Sequence, residues 1–146
     1  AYDILAYIDK HRLEVPIMAS HSNYRKVYNH LRNLPDDIAI AIINRGGLIG
    51  VNFLRAFVNP EDSNALYDHI NHGLELGGAK SICFGADYYG TDKHPDRSRV
   101  PFYFKEHQDA SKYPSILNVI DTKAFPNLVE NIASNNAMDY ISKLWA

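Results

Sequence analysis

Three polar side chains of this sequence stand just after short apolar runs or close behind them. His21 follows the run Val15–Ala19, Arg32 lies eleven residues after His21, and Asp87 follows the run Ser81–Gly85. An imidazole binds metal ions or moves protons, an arginine holds a carboxylate through two parallel hydrogen bonds, and an aspartate transfers protons. These residue types suit the metal-assisted hydrolysis of a substrate that carries a carboxylate.

Each of these residues also has a purely structural interpretation. His21 could be a hydrogen-bonded loop residue, and Asn23 beside it could be a loop or cap residue. Arg32 could pair with the acidic residues of Asp36–Asp37 at the surface, for little gain in stability. Asp87 could be a turn residue. Spacing alone leaves both interpretations open.

The composition is that of an ordinary folded domain. The chain has 146 residues, of which 46% are apolar and 22% are charged, so it is long enough for the core of one domain and too apolar for disorder. The formal charge of -2 gives no attraction to phosphate, and we expect no nucleic-acid partner. Cys83, the one cysteine, lies in an apolar run and is expected to be a small buried residue.

The periodicity of the chain predicts alternating helices and strands. A long polar loop is predicted over Ala86–Lys112, and loops of that length are usually functional or mobile. The predicted strands are Val15–Ala19, Leu48–Phe53 and Ser81–Gly85. The predicted helices are Tyr2–Arg12, a helix from Pro35 to the glycine pair at 46 and 47, a helix from about Pro60 through Leu74, and three closing helices around Pro114–Ile120, Pro126–Ile132 and Asn136–Trp145.

This order of elements predicts an α/β fold in which helices cross over between parallel strands. The second strand, Leu48–Phe53, is too apolar to alternate, so we expect it to be covered on both faces of the sheet. Three strands cannot close a barrel, and the chain is either a compact three-layer domain or part of a (β/α)8 barrel. In both cases the loops that carry His21 and Asp87 open on the same rim of the sheet.

One further pair of histidines invites a metal-site interpretation. His69 and His72 lie three residues apart on a predicted helix, but no carboxylate or third ligand accompanies them. The sequence therefore favours a solvated polar face at this pair.

Several ordered motifs resemble those of the renal (membrane) dipeptidase family. The resemblance covers nearly the whole chain, and the order and spacing of the motifs make it specific. The matching segments are Pro16–Asn23, His30–Asp37, Gly46–Phe53, Asp68–His72, Phe84–Asp87 and Ser111–Pro114.

The resemblance implies a zinc-dependent dipeptidase on a (β/α)8 TIM-type barrel, with a water held between two zinc ions. It implies that His21 binds one of these zincs and that Arg32 holds the terminal carboxylate of the dipeptide. Asp87 matches an aspartate at the catalytic water that is proposed to pass a proton to the leaving amine. Phe57 falls where some relatives place a tyrosine of the substrate pocket, and Tyr89 stands where a second acidic residue is common.

The resemblance also implies that residues 1–146 are a partial catalytic barrel domain, the C-terminal part of such an enzyme. The other zinc ligands of the family would precede Ala1. We therefore expect this segment to need the N-terminal part of the same barrel as its partner, besides the dipeptide substrate, and to be inactive alone. A homodimer stays open.

Two alternative functions stay open from the sequence. A metal-dependent amidohydrolase acting on another small amide, such as an N-acyl amino acid, would keep His21 and Asp87 but need not use Arg32. A non-catalytic α/β module would fold by itself and ignore zinc. No apolar stretch reaches the length of about 18 residues that spans a bilayer, and the chain starts without a methionine, so cytoplasmic and exported or periplasmic locations both stay open.

Overall fold

Three short parallel strands, paired in the order β1-β2-β3, form the sheet of this chain. The computed structural model describes residues 1–123 and 128–145. Each connection between neighbouring strands contains helix, as crossover connections between parallel strands require. The three strands are β1 (Met18–Ala19), β2 (Leu48–Val51) and β3 (Ile82–Phe84). The predicted α/β fold with parallel strands is confirmed.

Six α-helices lie among the described residues. The last of them continues directly from a π-helical turn, and short 3₁₀ turns occur at 78–80, 97–99 and 110–112. The α-helices are α1 (Tyr2–His11), α2 (Asp36–Asn44), α3 (Arg55–Val58), α4 (Ala65–Glu75), α5 (Tyr113–Lys123) and α6 (Asn136–Leu144).

The structure differs from the predicted elements in length and in one added helix. The run Val15–Ala19 forms a strand only from Met18 onward, and Pro16 within it has no N–H to give to a ladder. The added helix is α3, in a segment that the sequence predicts as a loop. Of the predicted helix Pro126–Ile132, the first two residues lie outside the described part of the chain, and Asn131–Asn135 is the π-helical turn.

Strand β2 lies at the centre of the core and is buried along its whole length. One apolar cluster joins β2 and β3 to α4 and α5, and a second joins β2 to α1 and α2. The prediction that this strand is covered on both faces is therefore confirmed, and Cys83 is buried as expected. The largest fully buried side chains include Tyr24, Phe53, Ile49, Leu66, Ile70 and Ile82.

Two glycines let the segment that follows β1 lie directly against its neighbours. A Cβ atom at Gly50 or at Gly85 would collide with the backbone carbonyl oxygen of Ser20, and each of the two glycines also lies against the other. No rotamer change relieves a collision between a Cβ atom and backbone atoms. The carboxyl ends of the three strands therefore meet closely only because these positions have no side chain.

The outer edge of β1 has no strand beside it among the described residues. Met18 on this strand is 51% exposed, and Val15 just before it is 46% exposed. At the other end of the chain, Trp145 is 85% exposed. Within the part of the chain that the structure describes, no helix has the length and apolar character needed to cross a membrane.

Candidate active site

The loops that follow the three strands leave the sheet side by side, as the sequence predicts. The N–H of Ser22 donates to the carbonyl of Gly50 over 2.7 Å, and the N–H of Gly85 donates to the carbonyl of Val51 over 3.0 Å. His21 and Asp87 therefore belong to the two loops that flank the loop after β2, at one rim of the sheet. In parallel α/β sheets this rim is where binding and catalytic side chains collect.

Asp87 is fixed at this rim through both its backbone and its side chain. Its φ of 61° lies in the left-handed region, which aspartate tolerates better than most residues. The hydroxyl of Tyr103 donates to its backbone carbonyl over 2.5 Å, and Nδ2 of Asn52 donates to its carboxylate over 3.3 Å. The half-buried carboxylate keeps its other oxygen free of hydrogen bonds to the described residues.

A buried pair of asparagines joins the first two loops. Nδ2 of Asn23 donates to the backbone carbonyl of Asn52, and the N–H of Asn52 donates to Oδ1 of Asn23, each over 3.0 Å. Both residues are almost completely buried, where an unpaired amide would be costly. Together with the contact to Asp87, this pair links the three strand ends through side-chain hydrogen bonds.

The sequence does not predict the role of Asn52, although a signal is present. Asn52 is the polar residue of the apolar run Leu48–Phe53, which the sequence predicts as one buried strand. A polar side chain in such a run needs a buried partner. The sequence does not identify that partner, because Asn23 lies 29 residues away. In the structure, β2 ends at Val51 and Asn52 begins the loop.

His21 is half-buried, and one of its two ring nitrogens has a partner. Its Nδ1 lies 2.8 Å from the hydroxyl oxygen of Ser20. Nε2 makes no hydrogen bond to the described residues. Metal-binding histidines commonly have one ring nitrogen oriented by an outer hydrogen bond and present the other to the ion. The surroundings of His21 fit that arrangement.

The described residues do not give His21 enough further ligands to complete a metal site. Within residues 1–123 and 128–145, no group of three or more histidine, cysteine, aspartate or glutamate side chains is placed to hold an ion. A zinc site needs about three or four protein ligands. The described residues fit the contribution of one ligand to a site that other residues would complete.

Arg32 is exposed and its guanidinium lies over the ring of Phe57, with 5.5 Å from Cζ to the ring centroid. The acidic residues that could have paired with it have other partners. Asp36 lies 2.9 Å from Nε2 of His72, and Asp37 accepts a hydrogen bond from the hydroxyl of Tyr2. Its charge is therefore available to a ligand, and the ring of Phe57 limits the space beside it.

The loop that carries Arg32 is tied to α3 by Asn33. The buried amide of Asn33 donates to the carbonyls of Tyr28 and Phe57, each over 2.9 Å. A backbone bridge between Tyr24 and Leu34 closes the base of the loop. These contacts bring Arg32 and Phe57 together although 25 positions separate them, and the short helix α3 that presents Phe57 is the element that sequence patterns miss.

His69 is fully buried and holds the loop that carries Arg32 through a hydrogen bond to Tyr24. Its Nδ1 accepts from the N–H of Tyr24 over 3.2 Å, so Nε2 carries the proton and donates to the carbonyl of Val58 over 2.9 Å. Burial lowers the pKa of His69 to about 4 and keeps the ring neutral. The interpretation of His69 and His72 as a solvated polar face is therefore wrong for His69, because α4 buries this side chain between two other segments.

Aromatic side chains hold the long loop after β3 on the sheet. The hydroxyl of Tyr88 donates to the carbonyl of His107 over 2.8 Å, and the Tyr88 ring packs edge-on against the rings of Phe53 and Tyr103. Burial raises the pKa of both tyrosines, so the hydroxyl of Tyr103 stays protonated as a donor to Asp87. Tyr88 therefore packs in the interior of this loop, whereas the neighbouring Tyr89 is partly exposed.

The sequence of the chain matches one protein family along most of its length. A family model described as Membrane dipeptidase (Peptidase family M19) matches residues 11–144. An uncharacterized dipeptidase of Schizosaccharomyces pombe (strain 972) is 37% identical over an alignment of 106 residues, and the match covers 69% of this chain and 24% of that protein. The chain thus spans about a quarter of the length of this curated relative.

Three solved structures are similar to the fold. Dipeptidase AC, a metallopeptidase of family M19, has a TM-score of 0.77 and 19% identity, over 90% of this chain and 38% of that one. A metallopeptidase from Rhodobacter sphaeroides, solved with a phosphinate mimic of the dipeptide L-Ala-D-Ala, has a TM-score of 0.75 and 19% identity, over 90% and 37%. An amidohydrolase from Pseudomonas aeruginosa has a TM-score of 0.72 and 18% identity, over 89% of this chain and 46% of that one.

These likenesses show the fold of the chain. It covers less than half of each solved structure, so its three parallel strands and their helices correspond to one part of the larger fold of those proteins. The prediction of a partial (β/α)8 barrel is confirmed.

Proposed function

Since the chain belongs to the membrane dipeptidase family, peptidase family M19, we propose that the complete protein is a zinc-dependent dipeptidase. Its substrate would be a dipeptide with a free terminal carboxylate, and the products two amino acids. The observation that carries the proposal is the arrangement of His21, Asp87 and Arg32. The first two lie at one rim of the sheet, and the third is held next to Phe57 on the loop that follows β1.

His21 would hold zinc through Nε2, and its hydrogen bond to Ser20 keeps the ring in one orientation. Zinc, when bound, lowers the pKa of a water molecule and polarises the scissile carbonyl. We propose two ions per site, with the remaining ligands supplied by parts of the barrel that lie outside these residues. This division agrees with the single ligand that the described residues offer.

Asp87 would move the proton that peptide hydrolysis has to relocate. As the water oxygen bonds to the carbonyl carbon, the free oxygen of the Asp87 carboxylate takes the proton of the water. The same carboxylate then gives this proton to the amide nitrogen while the C–N bond breaks. The acyl half is then a carboxylic acid and the other half an amine, and the acid releases the second proton of the water to the solvent as it becomes a carboxylate, so atoms and charge balance.

Arg32 would bind the terminal carboxylate of the dipeptide through two parallel hydrogen bonds. The loop that carries it is held by Asn33 and Tyr24, so the guanidinium is presented by a fixed backbone. Phe57 would form the wall of the pocket beside it. This contact binds the substrate without taking part in the proton transfer.

The test is hydrolysis of a panel of dipeptides by the full-length, zinc-loaded protein. Wild-type protein should release both amino acids, and Asp87→Asn should lower kcat by about 100-fold or more, since a positioned acid or base contributes on the order of 10² to 10⁴. Asp92→Asn is the matched control, because Asp92 is an exposed aspartate of the same loop. Removal of zinc by a chelator should abolish activity, and added zinc should restore it.

Two results would contradict the proposal. One is a wild-type protein that hydrolyses no dipeptide in the panel when loaded with zinc. The other is an Asp87→Asn variant whose kcat equals that of Asp92→Asn.

A further inference from the structure

Asn52 has a partner for every one of its polar groups, and these partners fix the direction of its side-chain amide. Its Oδ1 accepts from the N–H of Leu54 over 2.7 Å, and Nδ2 faces a carboxylate oxygen of Asp87 over 3.3 Å. A flipped amide would set Nδ2 against the N–H of Leu54 and Oδ1 against the carboxylate. Both contacts would then be repulsive, so only the observed orientation is compatible with its surroundings.

The backbone of Asn52 is as fixed as its side chain. Asn23 holds both the N–H and the carbonyl of Asn52, and both residues are buried, with Asn52 1% exposed. The donor that faces Asp87 therefore stands on a rigid support. Asp87 is restrained separately through its backbone carbonyl, by the hydroxyl of Tyr103. What remains free in Asp87 is the rotation of its side chain, and Asn52 acts on that rotation.

We propose that Asn52 is a positioning residue that holds one oxygen of the Asp87 carboxylate and thereby aims the other oxygen at the reacting atoms. This inference rests on the proposed dipeptidase function. At 3.3 Å the contact is at the long end for a hydrogen bond, as catalytic contacts often are before substrate binds. Asn52 does not touch the substrate, and its effect passes entirely through Asp87.

The replacement Asn52→Asp isolates this role. Aspartate has the shape of asparagine and keeps the acceptor for the N–H of Leu54, but it replaces the amide donor with a second carboxyl group, which competes with Asp87 for one proton because two carboxyl groups this close cannot both ionise. Loss of one hydrogen bond to a charged group corresponds to a fall in kcat of about 10- to 100-fold. KM should stay within about threefold, because Arg32 and not Asp87 binds the terminal carboxylate.

A second substrate separates positioning from a general loss of structure. A thioester analogue of the dipeptide keeps the terminal carboxylate, but its thiolate leaves without being protonated. If Asn52 acts through Asp87, the fall in kcat for Asn52→Asp should be about 10-fold or more with the dipeptide and several times smaller with the thioester, because Asp87 still takes the proton of the water but has no leaving amine to protonate. A purely structural defect would lower both equally.

Asn136→Asp is the matched control for burying an extra carboxyl group. Asn136 is also buried, and its Nδ2 donates to the carbonyls of Ala79 and Ile82, away from the rim. This variant should lose thermal stability, and any fall in its kcat should be the same with the dipeptide and with the thioester. Asn52→Ser, which also withdraws the amide donor but adds no charge, should show the same substrate difference as Asn52→Asp, and it decides the matter if Asn52→Asp does not fold.

The outcomes distinguish this inference from the function on which it rests. A wild-type protein without dipeptidase activity overturns both. An active wild-type enzyme whose Asn52 variants lose the same factor of kcat on both substrates, or lose none, overturns the positioning role of Asn52 alone.

Discussion

Each side chain of the candidate site is held by a neighbour, which is buried for Asp87 and Arg32 and exposed for His21. Asp87 rests on Asn52, Arg32 on the loop that Asn33 fastens, and His21 on its contact with Ser20. Such support is what allows a polar side chain at a rim to keep one orientation without substrate. Replacing a site residue should therefore change binding or chemistry while the structure around it stays in place.

Arg32→Ala should weaken substrate binding and leave the chemical step nearly intact. Loss of a charge-assisted pair of hydrogen bonds corresponds to a rise in KM of about 10- to 100-fold, with kcat changed by less than about fivefold. Steady-state kinetics of the full-length protein with a dipeptide measure both. Lys26→Ala removes an exposed positive charge from the same loop and is the matched control.

A dipeptide with an amidated C-terminus sharpens the experiment. This substrate has no carboxylate for Arg32 to bind, so its KM should be the same for wild-type and Arg32→Ala enzymes. An unchanged KM for the free dipeptide would favour the alternative amidohydrolase, which need not use Arg32.

Elements differ in how well the sequence predicts them. The apolar runs and the helical periodicity predict the three strands and α1, α2 and α4 to within a few residues, because burial acts on whole runs of side chains. The short helix α3 carries too few residues to show a period. The link between Asn23 and Asn52, which joins two loops, depends on the meeting of distant segments and leaves no local pattern.

The sequence predicts the residues of the candidate site, but not the hydrogen bonds that hold them in place. The motif resemblance pointed to His21, Arg32, Asp87 and Phe57, and the structure places Arg32 against Phe57. Their roles stay proposals. The family that the motifs indicated is confirmed by the match over residues 11–144.

At the level of elements, His69 joins α4 to α3 and to the loop after β1, and this should make stability depend on pH. The pKa of His69 is lowered to about 4 in the folded protein, against 6.5 when the ring is exposed, so the unfolded chain binds the proton first as the pH falls. The contribution of His69 to the free energy of unfolding should be fully present above pH 6.5. Between pH 6.5 and 4 it should fall by about 3 kcal/mol.

The variant His69→Gln tests this dependence in the full-length protein. Glutamine keeps a donor for the carbonyl of Val58 but cannot take up a proton, and it loses the acceptor for the N–H of Tyr24. Urea unfolding should therefore find the variant less stable at pH 7.5, with the difference narrowing as the pH approaches 4. Parallel pH curves for the two proteins would show that His69 does not contribute.

On the scale of the whole molecule, the described residues form a three-stranded sheet with an unpaired edge at β1. β1 has a strand on one side only, and Met18 and Val15 expose apolar surface along it. Unpaired strand edges with exposed apolar residues favour association with other chains. A barrel closes such edges, and the share of the solved structures that this chain covers leaves room for the strands that would do so.

Residues 1–146 expressed alone should therefore be inactive and unstable as a monomer. We expect a broad thermal transition by circular dichroism, self-association in size-exclusion chromatography and no hydrolysis of dipeptides, whereas the full-length protein melts cooperatively. A sharp melt of a monomer without any response to zinc would support a self-sufficient module instead. Dipeptidase activity or tight zinc binding by this segment would contradict the single-ligand account of His21.

The close approach of Ser20 to Gly50 and Gly85 limits which residues at this rim can be replaced. Any side chain at either glycine would wedge the strand ends apart and move several loops at once, so both positions are closed to variation. The exposed residues of the loop after β3, such as Tyr89 and Asp92, carry no such restriction. A library for altered substrate preference should therefore randomise these exposed positions and leave the two glycines and Asp87 untouched.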